Sequence, residues 1–184
     1  MVTPHIETLC TTLAHVLGAR KLSLCTAESC TGGLIAASCT QLSGSSAWFE
    51  RGFVTYSNAA KHELLGVPSA LIEAHGAVSE EVAKAMALGA LAHSNAALSV
   101  AVTGVAGPTG GTAAKPVGTV WLAWAWRDSD QQTSSQQSSK QQTHCETLLQ
   151  QFKGSRSEVR FATTELALTH LTEIAQKAFA PLNT

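Results

Sequence analysis

Hydrophobic positions along the chain follow two periods, one typical of amphipathic helices and one of buried strands. Near the start, apolar side chains recur at helical spacing from Ile6 to Leu17, and Gly18 is the predicted stop. The apolar runs 22–25 and 98–102 are short and bounded by polar residues or glycine, as buried strands are. The predicted order is helix 4–18, strand 21–27, helix 31–42, strand 49–56, helices 59–65, 69–74 and 80–93, strands 98–102, 117–126 and 144–152, and helix 155–179.

This order of elements predicts a three-layer α/β/α fold. The sheet should have five strands and be mixed, because the last three strands follow one another without helical crossovers. No repeat or linker divides the chain, so residues 1–184 are predicted to form one domain. A segment rich in Gln and Ser, 128–143, is predicted to be a flexible surface loop because it contains almost no apolar residues.

The first predicted strand runs into a small polar turn, Ala27-Glu28-Ser29-Cys30-Thr31-Gly32-Gly33, before the second helix. Unpaired N–H groups at a helix start favour anions, and glycines let a ligand approach the backbone. The turn is therefore a candidate anion site. The alternative is that Ser29 or Thr31 only caps the helix.

Other candidate residues also lie where predicted strands end. Tyr56 closes one strand and Lys61 follows one turn into the next helix, so both side chains can face one spot above the sheet. Thr103 and Gly104 begin a glycine-rich loop that lacks the lysine of a P-loop. Arg156 falls in the first turn of the last helix, where a cation opposes the helix dipole, which favours a role in anion binding.

Composition and charge exclude several classes of protein. Charged residues make up 14% of the chain and its net charge is -1, so no general nucleic-acid surface is expected. Five cysteines and seven histidines are scattered without paired ligand spacing, so neither a metal nor a disulfide framework is predicted. No apolar run is long enough to span a bilayer, so we expect no membrane association and a cytoplasmic protein.

Six motifs, in this order, resemble the CinA C-terminal domain family over roughly residues 5–178. They are Thr26-Ala27-Glu28-Ser29-Cys30-Thr31-Gly32-Gly33, Gly44-Ser45-Ser46-Ala47-Trp48-Phe49, Gly52-Phe53-Val54-Thr55-Tyr56-Ser57-Asn58 with Lys61, His75-Gly76-Ala77-Val78-Ser79, Thr103-Gly104-Val105-Ala106-Gly107-Pro108 and Lys115-Pro116-Val117-Gly118-Thr119-Val120.

The resemblance implies an activity and a site. Stand-alone bacterial members of this family deamidate nicotinamide mononucleotide (NMN) to nicotinic acid mononucleotide and ammonia in pyridine-nucleotide salvage. The resemblance also implies a homodimer, and we expect no cofactor. Carried onto this sequence, the site consists of Ser29, Ser46, Tyr56, Lys61, Thr103 and an arginine in the segment 152–160. Where the family usually has Gly-Asp-Arg, this chain has Gly154-Ser155-Arg156, and serine should still cap the helix.

Amide hydrolysis needs a nucleophile, a base and an oxyanion site. We expect Ser29 to attack the carboxamide, Lys61 to accept the proton, and Tyr56 to relay it to ammonia. Substrate binding is assigned to Thr31, Gly32, Ser46, Thr103, Gly104 and Arg156. In an alternative mechanism Tyr56 and Lys61 activate water directly and Ser29 only positions the substrate. The rival hypothesis for the whole protein is a nucleotide-binding regulatory domain without catalysis.

Overall fold

A computed structural model describes residues 3–128 and 142–179. These residues form six helices and five strands. The helices are α1 (Pro4–Arg20), α2 (Leu34–Thr40), α3 (Asn58–Leu65), α4 (Ser69–His75), α5 (Glu80–Ala92) and α6 (Arg156–Ala178). The strands are β1 (Leu24–Glu28), β2 (Phe49–Val54), β3 (Leu98–Gly104), β4 (Thr119–Arg127) and β5 (Thr143–Gln151), and a single 3₁₀ turn, Ser45–Ala47, precedes β2.

The five strands form one mixed sheet in the order β2-β1-β3-β4-β5. β1 pairs in parallel with both β2 and β3, whereas β4 runs antiparallel to β3 and to β5. The predicted mixed five-stranded α/β/α fold is confirmed. β1, which lies between β2 and β3, is buried along its whole length, and Ser29 follows its carboxyl end.

Helices cover both faces of the sheet, and the strands present side chains of different size to each. Large side chains of β3 and β4, such as Val100 and Trp124, pack in a core with α1, α2 and α6. On the other face, small ones such as Ala101 and Ala123 pack with α5. These alanines let α5 approach the sheet closely, because no branched side chain holds it away.

The C-terminus of α1 and both ends of α2 differ from the predictions by two or three residues, and α2 ends at Thr40 rather than Leu42. α1 continues through Gly18 to Arg20, where Lys21 caps it with a left-handed φ of 53°, so the predicted stop at Gly18 is wrong. α2 begins at Leu34 rather than Thr31, because Gly32 and Gly33 adopt positive φ values of 62° and 91° that a helix does not use.

Serine side chains cap the starts of three helices. Ser57 and Ser79 cap α3 and α5 by accepting hydrogen bonds from backbone N–H groups. Ser155 caps α6 in a capping box with Glu158, so the expectation that serine would serve where the family has aspartate is confirmed.

The predicted single domain over 1–184 stays a prediction. Most of the Gln/Ser-rich segment, residues 129–141, lies outside the described residues, and so does the prediction of a flexible loop there. Within the described part of the chain, no helix combines the length and apolar character needed to cross a membrane.

Candidate active site

A pocket of about 220 Å³ opens where β1 and β3 end and α3 and α6 begin. Five separate segments of the chain contribute to its lining. The lining residues are Ser29, Cys30, Tyr56, Asn58, Lys61, Ala77, Val78, Thr103, Gly104, Ala106 and Arg156. The predicted site residues Ser29, Tyr56, Lys61, Thr103, Gly104 and Arg156 are thus brought together, although up to 127 positions separate them in sequence.

Lys61 is the most deeply buried charged group in this pocket, with a side chain only 1% exposed. Its Nζ donates to Ser29 Oγ at 3.1 Å, to the carbonyl of Thr55 at 2.8 Å and to that of Tyr56 at 3.4 Å. Burial lowers the pKa of Lys61 below the ordinary value of 10.5, because removal from water disfavours the charged form. A lysine with a lowered pKa next to a serine hydroxyl is suited to act as a base.

Ser29 and Cys30 both line the pocket, but they differ in how well each is suited to act as a nucleophile. Ser29 is held by its N–H, which donates to the carbonyl of Val102 at 3.0 Å, and its hydroxyl faces Lys61. Burial raises the pKa of Cys30 to about 12. The Cys30 thiol therefore stays protonated near neutral pH, and the arrangement favours Ser29 over Cys30 as the nucleophile.

The start of α2 is not an open anion site, which corrects the prediction for this turn. The carboxylate of Glu28, fully buried, accepts hydrogen bonds from the N–H groups of Ile35 at 3.0 Å and Ala36 at 2.8 Å. The hydroxyl of Thr31 also donates to Glu28, at 2.7 Å. An internal carboxylate thus takes the place that a substrate anion would occupy.

Thr31 and Gly32 lie beside the pocket and are not among its lining residues. The hydroxyl of Thr31 is committed to Glu28, and its carbonyl accepts from Arg160. Gly32 supplies the left-handed turn that leads into α2. The alternative prediction that Ser29 or Thr31 caps this helix is wrong, because Gly33 is the N-cap of α2 and Glu28 accepts from its first N–H groups.

Tyr56 and Arg156 meet at the solvent side of the pocket. Tyr56 is 61% exposed, and its hydroxyl accepts a hydrogen bond from Arg156 at 2.9 Å. A second nitrogen of Arg156 donates to the carbonyl of Gly107 at 2.8 Å. A guanidinium has five donors, so further donors remain for a ligand. The two contacts also explain structurally why an arginine stands in the first turn of α6.

Thr103 and Gly104 form the inner wall. The hydroxyl of Thr103 donates to the carbonyl of Ala77 at 2.7 Å, which ties β3 to the segment between α4 and α5. A side chain at Gly104 would come within 2.7 Å of the carbonyl oxygen of Thr119 and of Val120. Gly104 is therefore required for close packing of β3 against β4, whatever its role toward substrate.

Ser46 lies at the amino end of the parallel strands, whereas the pocket lies at their carboxyl end. It is exposed in the turn before β2, and the carbonyl of neighbouring Trp48 bonds to the N–H of Leu24 at the start of β1. Ser29 follows the other end of β1. Four residue steps along a strand separate these ends by about 13 Å, so Ser46 does not reach the pocket of its own chain.

Sequence reasoning missed Asn58, Ala77, Val78 and Ala106 as lining residues and Glu28 as the cap of α2. Asn58 lies one helical turn before Lys61 on α3, so the helical period already placed it on the same face. No sequence pattern indicated that Glu28 accepts from the start of α2, because its partners there lie seven and eight residues away.

The described residues contain no group of three or more His, Cys, Asp or Glu side chains that could hold a metal ion.

The sequence model of the CinA C-terminal domain family matches residues 6–175, nearly the whole described chain. The chain belongs to the CinA C-terminal domain family. This membership confirms the resemblance carried by the six motifs.

Relatives of this CinA-family chain include proteins of similar length. It is 49% identical to "Nicotinamide-nucleotide amidohydrolase PncC" of Pseudomonas putida over 92% of this chain and 96% of that protein. It is 52% identical to the protein of the same name from Enterobacter agglomerans, over 77% of this chain and 78% of that one. Among solved structures, the competence/damage inducible protein CihA of Agrobacterium tumefaciens superposes with a TM-score of 0.84 at 41% identity, covering 96% of this chain and 99% of that one.

Proposed function

We propose that this protein is a nicotinamide-nucleotide amidohydrolase that converts NMN and water to nicotinic acid mononucleotide and ammonia. The single observation that carries the proposal is the contact of 3.1 Å between the buried amine of Lys61 and the hydroxyl of Ser29 inside the pocket. The relatives of similar length whose names describe this activity support it. In the cell, this reaction would return the pyridine ring of NMN to nucleotide salvage.

The proposed reaction has two stages. Lys61, as the neutral amine, accepts the proton of Ser29 while Ser29 Oγ attacks the carboxamide carbon. The carbon–nitrogen bond then breaks, ammonia leaves with a proton relayed through Tyr56, and an ester joins the nicotinoyl carbon to Ser29. Water attacks that ester, which releases the carboxylate and restores the serine. Arg156 binds the phosphate at the far end of the substrate.

The oxyanion needs donors that no other group occupies. Cys30 and Gly104 line the pocket together with Ser29, and each brings a backbone N–H group with it. Either group is suited to stabilise the negative charge that develops on the carboxamide oxygen. The water mechanism, in which Ser29 only positions the substrate, uses the same lysine and tyrosine.

Ammonia release tests the activity directly. The purified protein is mixed separately with NMN, nicotinamide riboside, nicotinamide and glutamine, and ammonia is measured over time. We expect turnover of NMN that exceeds that of the other three, without added ATP or metal. Binding of NMN without ammonia release would instead support the non-catalytic regulatory domain.

We further propose a homodimer in which Ser46 of one copy completes the pocket of the other. The resemblance places Ser46 in the site, whereas within one chain it precedes β2 at the amino end of the parallel strands, and β1 extends about 13 Å from that end to the pocket. If a second copy docks against β2, Ser46 of one copy can enter the pocket of the other, which agrees with both the resemblance and the fold. β2 is an edge strand, and Val54 at its end is 48% exposed.

Mixed dimers test this arrangement. Ser29→Ala and Ser46→Ala proteins, each nearly inactive alone, are unfolded together and refolded as a mixture. If the sites are shared, some mixed dimers carry one intact site and activity returns. If Ser46 serves its own chain, each mixed dimer still has a Ser29 defect in one site and a Ser46 defect in the other, and activity stays low.

A further inference from the structure

Two charged side chains outside the pocket hold the turn that carries Ser29. One is Glu28, at the end of β1, and the other is Arg160, on α6. Neither lines the pocket. Both act on Thr31, two residues after Ser29.

Glu28 fixes the turn from the side of α2. Its Oε2 accepts from the Thr31 hydroxyl at 2.7 Å and from the N–H of Ile35 at 3.0 Å. Its Oε1 accepts from the N–H of Ala36 at 2.8 Å and from the Thr26 hydroxyl at 3.3 Å. A fully buried carboxylate is tolerated only when donors surround it, so four donors keep this side chain in one position.

Arg160 fixes the same residue from the opposite side. Its Nε and one terminal nitrogen both donate to the carbonyl oxygen of Thr31, at 3.1 and 2.6 Å. The carbonyl of Thr31 is thus tied to α6, and its hydroxyl is tied to the start of α2. Such a two-point arginine contact holds a carbonyl in a defined direction, because the planar guanidinium restricts the approach of its donors.

The turn itself is short and transmits this restraint to Ser29. The N–H of Gly32 donates to the carbonyl of Ser29 at 3.1 Å, and the N–H of Ser29 donates to Val102 on β3. A displacement of Thr31 therefore moves Ser29 relative to Lys61, which is held separately by the carbonyls of Thr55 and Tyr56.

We propose that Glu28 and Arg160 are positioning residues that clamp Thr31 and thereby set the contact between Ser29 Oγ and Lys61 Nζ. The proposal rests on the proposed role of Ser29 in amide hydrolysis. It assigns Arg160 to the enzyme's own backbone and leaves the substrate phosphate to Arg156. Misplacement of a reacting group by about 1 Å can cost about 100-fold in rate, so loss of one side of the clamp should be visible in kcat.

The test uses Arg160→Gln and Glu28→Gln, with Arg160→Lys as the conservative variant. Arg20→Gln is the matched control, because Arg20 also donates to a backbone carbonyl, that of Phe179 at 3.1 Å, but away from the pocket. Kinetics on NMN and on nicotinamide riboside are measured for each variant, normalised to the folded fraction from circular dichroism.

We expect kcat to fall about 10-fold or more for Arg160→Gln and Glu28→Gln on both substrates, with KM within about twofold of wild type. Arg160→Lys should recover part of the loss because lysine can donate one hydrogen bond to Thr31. Arg20→Gln should keep wild-type kcat. If Glu28→Gln does not fold, the two Arg160 variants carry the test.

Three results would overturn the clamp. A fall in melting temperature with unchanged kcat per folded molecule would make both residues purely structural. A rise in KM for NMN alone, absent with the riboside, would make Arg160 a phosphate ligand. Equal kcat for Arg160→Gln and wild type would remove Arg160 from the mechanism. Failure of the proposed function is distinct, because wild-type protein would then release no ammonia from NMN.

Discussion

At the scale of single residues, the pocket depends on a lysine that burial makes less basic. The exposed fraction of Lys61 is 1%, and its three nearest partners are a hydroxyl and two carbonyls rather than a carboxylate. The neutral amine therefore becomes available at a lower pH than for a lysine in water.

This property predicts the pH dependence of turnover. The folded-state pKa of Lys61 is lowered, so the active neutral amine increases as pH rises through that lowered pKa. We expect kcat to rise with pH along an acidic limb whose midpoint lies below 10.5. Lys61→Ala should lower kcat by about 10²-fold or more and abolish that limb. A midpoint at or above 10.5 in the wild type would contradict the assignment of Lys61 as base.

The two ends of the substrate predict different kinetics for two variants. A charge-assisted hydrogen bond contributes about 1.5–3 kcal/mol, so Arg156→Ala should lower kcat/KM for NMN on the order of tens-fold, mainly through KM. With nicotinamide riboside, which has no phosphate, Arg156→Ala should have little effect. Lys61→Ala should impair both substrates.

Arg156 also touches Tyr56, and the same measurement separates its two contacts. If Arg156→Ala lowers kcat equally for both substrates, its bond to the Tyr56 hydroxyl matters for chemistry. Phosphate binding would then belong to another group of the pocket. Calorimetric binding of NMN to each variant completes the comparison.

At the scale of elements, the start of α6 keeps its capping box although serine stands where the family usually has aspartate. Ser155 accepts from the N–H of Glu158, and the Glu158 carboxylate accepts from the N–H of Ser155 at 2.7 Å. These reciprocal bonds satisfy two N–H groups that a helix start otherwise leaves unpaired. They also set the direction in which Arg156 leaves the helix.

Removal of this cap should cost stability. We expect Ser155→Ala to lower the free energy of unfolding by about 1 kcal/mol. Ser157→Ala, two residues on and without a capping role, should change it by less than about 0.5 kcal/mol. Urea unfolding followed by circular dichroism measures both. Equal losses for the two variants would mean that the capping box contributes nothing measurable.

At the scale of the whole molecule, periodicity and turn signals were enough to predict the mixed five-stranded sheet, and the motif set predicted the family. Both are confirmed. Lys61 and Tyr56 were predictable because a strand end and the following helical turn must lie at one edge of the sheet. The role of Glu28 was not, since its bonds depend on how α2 packs over β1. The position of Ser46 relative to the pocket required the parallel pairing of β1 with β2.

The uneven charge of the pocket has a consequence for encounter with the substrate. The chain carries a net charge of -1, yet the described residues that line the pocket include the cation Arg156 and no acidic side chain. A concave basic site on a nearly neutral molecule attracts an anion locally, and dissolved salt screens that attraction. We expect kcat/KM for NMN to decline as potassium chloride is increased, whereas the value for nicotinamide riboside, which lacks the phosphate, should not decline in this way. A salt response equal for both substrates would show that long-range attraction of the phosphate does not govern capture.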